Sequence, residues 1–263
     1  MLGKLLKYEF RATGRLFLPL YGALMIFALI NALLLSFREV PQLPAVLAML
    51  VYVLLAIAIF VVTFIVMIQR FYKNLLSDEG YLMFTLPVKA WYHILCKLIV
   101  STVWLIVSTA ITLFTIFIMM FNADLSRATV KLWDIVMSDF LLYLGPQEIL
   151  TILEFFVTMF ISVIGSILAI YTAISLGHLF RRHRILAAFG AYIVLSIVSS
   201  LLAQLVYGLF GTFRMLAPSA TLAAQGAWLL HQLLYPGLIV TIIECVLYFL
   251  ITNFVLSRKL NLE

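Results

Sequence analysis

The sequence predicts an all-α integral membrane protein with six transmembrane helices, and three observations carry that prediction. Hydrophobic residues fill 65% of the 263 positions and charged ones 11%, against about 25% charged in a soluble domain, too few to cover a surface facing water. Six apolar runs are long enough for the ~20 residues that cross about 30 Å of hydrocarbon, and they hold two of the chain's 17 basic and 11 acidic residues. Lys and Arg in the connections sort 13 against 4 between alternate sides, which by the positive-inside rule puts both termini in the cytoplasm. Divided this way, the net charge of +6 becomes +9 inside, −1 outside and −2 within the spans. The basicity records orientation, and no basic stripe is left over to bind nucleic acid.

In chain order, residues 1–15 form a basic amphipathic helix: Lys4, Lys7, Arg11 and Arg15 fall within about 80° of one another at roughly 100° per residue, with Leu2, Leu5, Leu6 and Phe10 opposite. Such a helix lies against the membrane surface with its cations toward anionic headgroups. Glu9 sits in the middle of the apolar face. It must snorkel or pair with a cation from another element, unless it is simply a solvated carboxylate at a frayed end. The apolar run that follows is too long for a cleaved signal sequence. The spans are Leu16–Leu35, Leu43–Ile68, Leu98–Phe121, Leu150–Leu176, Ile185–Phe210 and Pro236–Leu256. Between the third and fourth, Leu125, Ala128, Leu132, Val136 and Phe140 recur at helical spacing, as an outer surface helix would. Residues 211–235 carry Gln225, His231 and Gln232 and end at Pro236-Gly237. They read as an extracellular re-entrant or interfacial helical pair rather than a seventh span, which would reverse the side of Arg258 and Lys259. The whole of 1–263 is then one transmembrane domain.

The cytoplasmic connection 69–97 is too apolar for a hydrophilic linker. It contains the run SDEGYLMFTLPVKAWYHILCK. Ser77 or Asp78 can cap a short helix through Tyr81, Leu82, Met83, Phe84 and Leu86, and Pro87 suits the first turn of the next one. An aromatic helix at that surface needs a groove to fill, or else it rests on lipid. The run resembles the loop between the second and third spans of ABC type-2 export permeases, and the layout of six spans with both termini inside is similar to that family's.

The resemblance implies a permease domain in a bacterial cell membrane, pairing with a second permease chain as a homo- or heterodimer and binding soluble ATP-binding cassette ATPases. The coupling helix would be Asp78 to Leu86, with Asp78, Glu79, Gly80, Tyr81, Leu82, Met83, Phe84, Leu86 and Pro87 forming the ATPase contact. Lys89 and Lys97 would face phosphates or the ATPase surface, and Arg181, Arg182 and Arg184 would be a second contact or merely hold topology. ATP and its magnesium ion would belong to the partner, since the chain has no GxxxxGK[ST] loop and binds no cofactor or metal of its own.

Glu154 and Glu244 are the charges inside the spans, and such acids are functional candidates by default. Glu154 lies near the outer end of the fourth span. Glu244 is nearer the midplane, as a protonated core residue, a partner of Arg214 or of a polar neighbour, or a contact for a cationic substrate. Used by themselves, the two acids suit an ATPase-independent transporter or a membrane substrate-binding subunit. GxSxG and HExxH are absent, so a membrane enzyme has no motif behind it. Cys96 and Cys245 form no framework, and Gly165, Ser166, Gly177 and Gly190 allow close contacts that suit a dimer seam or internal packing equally.

Overall fold

A computed structural model describes residues 2–36, 42–76, 89–120, 131, 134, 146–180, 182–211 and 222–258. Six long helices carry almost all of them: α1 (Leu2–Ser36), α2 (Gln42–Leu76), α3 (Ala90–Met120), α4 (Pro146–Gly177), α5 (Arg184–Gly211) and α6 (Leu222–Arg258). All six are long and apolar enough to cross a membrane. Their outward faces are sheathed in large apolar side chains, such as Leu54 and Phe64 on α2, Phe156 and Phe160 on α4, and Phe189, Val194 and Leu205 on α5. Water would not tolerate so much contiguous apolar surface, whereas lipid does.

The residues fall into two compact units, Met1–Arg70 with Leu95–Asp139, and Phe71–Ile94 with Phe140–Glu263. In the first, side-chain bonds give the register of three helices. Glu9 of α1 meets Arg70 of α2, and Asn31 Nδ2 donates to the Ala48 carbonyl at 3.0 Å, so α1 and α2 run antiparallel over the same 22-residue interval. Trp104 Nε1 on α3 donates to Thr13 Oγ1 at 2.8 Å, and Tyr21 and Ser108 share a 2.8 Å hydroxyl bond, so α3 runs parallel to α1. Ser108, fully buried, also lies 3.2 Å from the Thr63 hydroxyl of α2. One serine thus touches both other helices where no water could replace either bond. Around it pack Phe17, Tyr21, Leu24, Tyr52 and Ile59, with Phe17 stacked on Trp104 at 4.6 Å.

The second unit repeats the arrangement. The Thr172 hydroxyl of α4 bonds that of Thr252 on α6 at 3.0 Å, while Cys245 Sγ approaches the Ile161 carbonyl at 3.7 Å, so α4 and α6 are parallel. Ser199 with Glu244 and Tyr207 with Leu233 set α5 antiparallel to α6. Gly177 and Gly165 serve packing inside this unit. A Cβ on Gly177 would lie 2.5 Å from the backbone of Ala188, and one on Gly165 would lie 3.3 Å from Cys245 Sγ. Gly190 faces open space among the described residues.

Each expected span lies inside its helix to within one residue, but the structure corrects two boundaries. Residues 1–15 are not a separate connecting helix, because the buried face of α1 runs unbroken from Glu9 through Thr13, Phe17, Tyr21, Leu24 and Ala28 to Asn31. Lys4, Lys7, Arg11 and Arg15 stay exposed on its outer side, as their spacing predicts. The expected break between the segment 211–235 and the sixth span is likewise absent: α6 continues through Pro236. Proline removes one helical N–H and crowds the preceding turn's carbonyls, and in a bilayer such groups need a substitute partner. The carbonyl that loses its N–H is that of Gln232, and at the next position in this crowded turn the Tyr207 hydroxyl donates to the Leu233 carbonyl at 2.9 Å; Gly237 leaves the room, since a Cβ there would lie 2.8 Å from the Tyr207 oxygen.

This coupling makes a testable pair. Tyr207→Phe and Gly237→Ala each lose the same hydrogen bond and should each destabilise by about 0.5–1.5 kcal/mol. The double variant should lose no more than the worse single one, as read from thermal unfolding in detergent.

Candidate functional site

The coupling residues Asp78, Glu79, Gly80, Tyr81, Leu82, Met83, Phe84, Leu86 and Pro87 lie outside the described residues, as does Arg181. What the structure describes is the frame on either side of them. On the chain's way in, the last turns of α2 are deeply buried in the second unit. Phe71 stacks on Tyr171 of α4 with centroids 4.0 Å apart and planes 8° from parallel, and Leu75 and Leu76 are 0% and 2% exposed. A flat aromatic pair of this kind contributes about 0.5–1.5 kcal/mol beyond its burial. On the way out, Lys89 is exposed, and its carbonyl accepts the Tyr92 N–H at 3.0 Å as α3 begins.

The turn between α4 and α5 sits on the same α2 turns. Gly177 ends α4, the Phe180 N–H reaches the Gly177 carbonyl at 3.2 Å, and the His183 carbonyl accepts the Ala187 N–H at 2.9 Å to open α5. His183 has φ of 57°, in the left-handed region that His tolerates better than most side chains. His178 lies against Tyr72 with ring centroids 6.2 Å apart and hydrogen-bonds the Leu76 backbone, while Arg184 approaches its Nε2 at 3.2 Å. Arg182 and Arg184 are exposed, so of the three expected arginines Arg184 takes a local role beside its open face. His178 is a functional candidate that the sequence hid, because Tyr72 and Leu76, which it meets, lie about a hundred positions earlier.

A second group forms in the first unit. Glu9 Oε1 lies 2.7 Å from Lys97 Nζ and 3.6 Å from an Arg70 guanidinium nitrogen. Glu9 is 8% and Lys97 4% exposed, while Arg70 is half-buried. The requirement that Glu9 find a cation on another element is met, by two elements at once. The reading of Lys97 as a phosphate or ATPase contact is overturned: its ammonium is enclosed and spent on Glu9. A cavity of about 20 Å³, the size of one water, adjoins the cluster and is lined by Glu9, Thr13, Thr63, Arg70, Lys97 and Trp104 among others.

The intramembrane acids are not brought together. Glu244 accepts a 2.5 Å hydrogen bond from Ser199, and Tyr248, one turn on, also bonds Ser199, while Arg214 lies outside the described residues. Glu154 is half-buried on α4. The α4–α6 register puts it about 9 Å along the axis from Glu244. An open apolar groove between the ends of α4 and α6 is lined by Leu176, Leu179, Leu250, Ile251, Phe254 and Val255.

Burial, and then the Arg184 guanidinium, hold the His178 imidazole below the usual histidine range. A histidine depressed in the folded state binds fewer protons there than in the unfolded one, so stability rises with pH through this window. Unfolding midpoints should therefore fall as pH drops below about 6.5. His178→Gln should flatten that part of the profile, and the measurement is a midpoint series from pH 8 to 5.

No protein family, characterised protein or solved structure matches this chain, so its function has to be argued from its own residues.

Proposed function

We propose that the chain is the membrane-spanning permease subunit of an ATP-binding cassette exporter, moving its substrate with energy from a separate ATPase. The observation that carries the reading is the frame around the coupling segment. α2 ends at Leu76, two positions before Asp78 in the sequence, and the α4–α5 turn packs on its last turns through His178 and Tyr72. The described ends of the two connections that would meet an ATPase lie side by side, which supports a push on either being passed on through the Phe71–Tyr171 stack. The absence of a phosphate loop assigns hydrolysis of magnesium-bound ATP to another chain. Six apolar helices in two antiparallel threes suit a permease that pairs with a second copy or a related chain in a bacterial cell membrane, its termini cytoplasmic. The exposed Lys4, Lys7, Arg11 and Arg15 face anionic lipid.

A second reading has its own observation. Ser199, Glu244 and Tyr248 make a polar cluster between α5 and α6, which would suit an ATPase-independent transporter or a substrate-binding subunit using Glu244 with Glu154.

The two readings separate in one experiment. Copurification with ATPases encoded nearby should capture one of them, and Tyr81→Glu with Phe84→Glu should lower the captured amount about tenfold, the loss expected from removing two anchors of a docked helix. The reconstituted complex should hydrolyse ATP faster when substrate is present. If no ATPase is captured, and Glu244→Gln abolishes uptake or release of a cation, the second reading holds instead.

A further inference from the structure

We propose that Glu244, Ser199, Tyr248 and Tyr192 form a binding site for a lipophilic organic cation that enters sideways from the bilayer. The inference deepens the second reading above: it names that reading's substrate class and rests on it for movement of the cation, while binding depends on the cluster alone. All four residues belong to one compact unit. Ser199 is 15 residues into α5 from Arg184, and Glu244 is 14 residues short of Arg258 at the end of α6. At 1.5 Å per residue both lie about 21–23 Å along their helices from a charged end, inside hydrocarbon about 30 Å deep. Ile243, Val246 and Leu247 beside Glu244 are exposed apolar side chains, so the approach to it is from lipid.

Glu244 is half-buried, and Ser199 donates to it at 2.5 Å. A serine hydroxyl has one proton, so its bond with Tyr248 is one that it accepts. Both hydroxyl dipoles therefore aim at the carboxylate, an arrangement that favours its charged form. Among the described residues no hydrogen-bond donor other than Ser199, and no cation, reaches Glu244. A charge in hydrocarbon needs such a partner, and a ligand that supplies it from this side must itself be soluble in lipid. Tyr192 gives the apolar part of that ligand a surface. It stands seven residues before Ser199, two turns along the same face of α5, and close to Tyr248. It is 43% exposed where Tyr248 is 8%. An open phenol ring beside a carboxylate suits an aromatic cation, whereas a hard metal ion takes more oxygen ligands than this cluster holds.

The test uses the full chain in phosphatidylcholine nanodiscs and rhodamine 6G, a lipophilic monocation, read by fluorescence anisotropy against empty nanodiscs. The dye should bind saturably, and zwitterionic rhodamine B should bind more weakly. Glu244→Gln should weaken rhodamine 6G binding about 10- to 100-fold, the worth of a hydrogen bond to a charged group. Tyr192→Leu should weaken it about two- to fivefold, as for an exposed cation–π contact. Should Glu244→Gln fail to fold, a photoreactive azide of the dye on the wild-type chain should mark 192–199 and 244–251. Equal binding by Glu244→Gln, or marking confined to other helices, overturns the proposal and leaves Glu244 a structural acid. Failure of the second reading looks different: the dye binds with this dependence, yet reconstituted vesicles neither take it up nor release it. If Glu244→Gln abolishes movement of another cation while rhodamine 6G does not bind, that reading stands and this site falls.

Discussion

Hydrocarbon offers no hydrogen-bond partner, and every polar group placed in or beside it must be answered from within the protein. The Glu9, Lys97 and Arg70 cluster is the sharpest instance. Three helices each bring one charge to it, Glu9 and Lys97 buried and Arg70 half-buried, and removing one partner of the buried Glu9–Lys97 pair costs about 3–5 kcal/mol because the other is left uncompensated. The register of α1, α2 and α3 follows from meeting that demand at one end and placing Asn31 on the Ala48 carbonyl at the other. Between those ends, Ser108, Thr63, Tyr21, Thr13 and Trp104 are arranged so that each hydroxyl or indole N–H has a partner.

The same demand explains the least regular part of the second unit. A proline inside α6 would leave carbonyls with nothing to accept. The Tyr207 hydroxyl reaches across from α5, and a glycine makes the space for it. Thr172 and Thr252 do for α4 and α6 what Ser108 does for the first three helices. Apolar packing then needs little specificity, and the outward faces are free to be uniformly aliphatic and aromatic. Polar bonds fix who pairs with whom, and apolar length fixes only that each helix crosses.

Span number and position were legible because charge depletion over twenty residues is a strong local signal, and each expected span lies inside an observed helix to within one residue. Glu9's need for a cation was legible too, from its place on an apolar face. The identity of that cation was not: Lys97 reads locally as one more basic residue of a cytoplasmic loop, and only the α1–α3 register removes it from the surface. Pro236-Gly237 misled for the reverse reason. Its local chemistry is that of a turn, and the Tyr207 hydroxyl that bonds the helical turn before it lies 29 positions earlier than the proline. His178 was not legible because its contacts are with the end of α2, about a hundred positions earlier.

These threads give the coupling reading its physical form. The described frame on which the proposed coupling rests is the end of α2, stacked on α4 through Phe71 and Tyr171. All of this requires the start of α1, the end of α2 and the α4–α5 turn to share one face of the membrane. The direct check is thiol labelling in intact cells, on a chain with Cys96→Ala and Cys245→Ala, using a maleimide that cannot cross the membrane. Lys7→Cys, Lys73→Cys and His183→Cys should stay unlabelled until the cells are permeabilised, while Arg38→Cys and Arg127→Cys should react at once. Labelling of Lys7→Cys and Lys73→Cys from opposite sides would contradict the account.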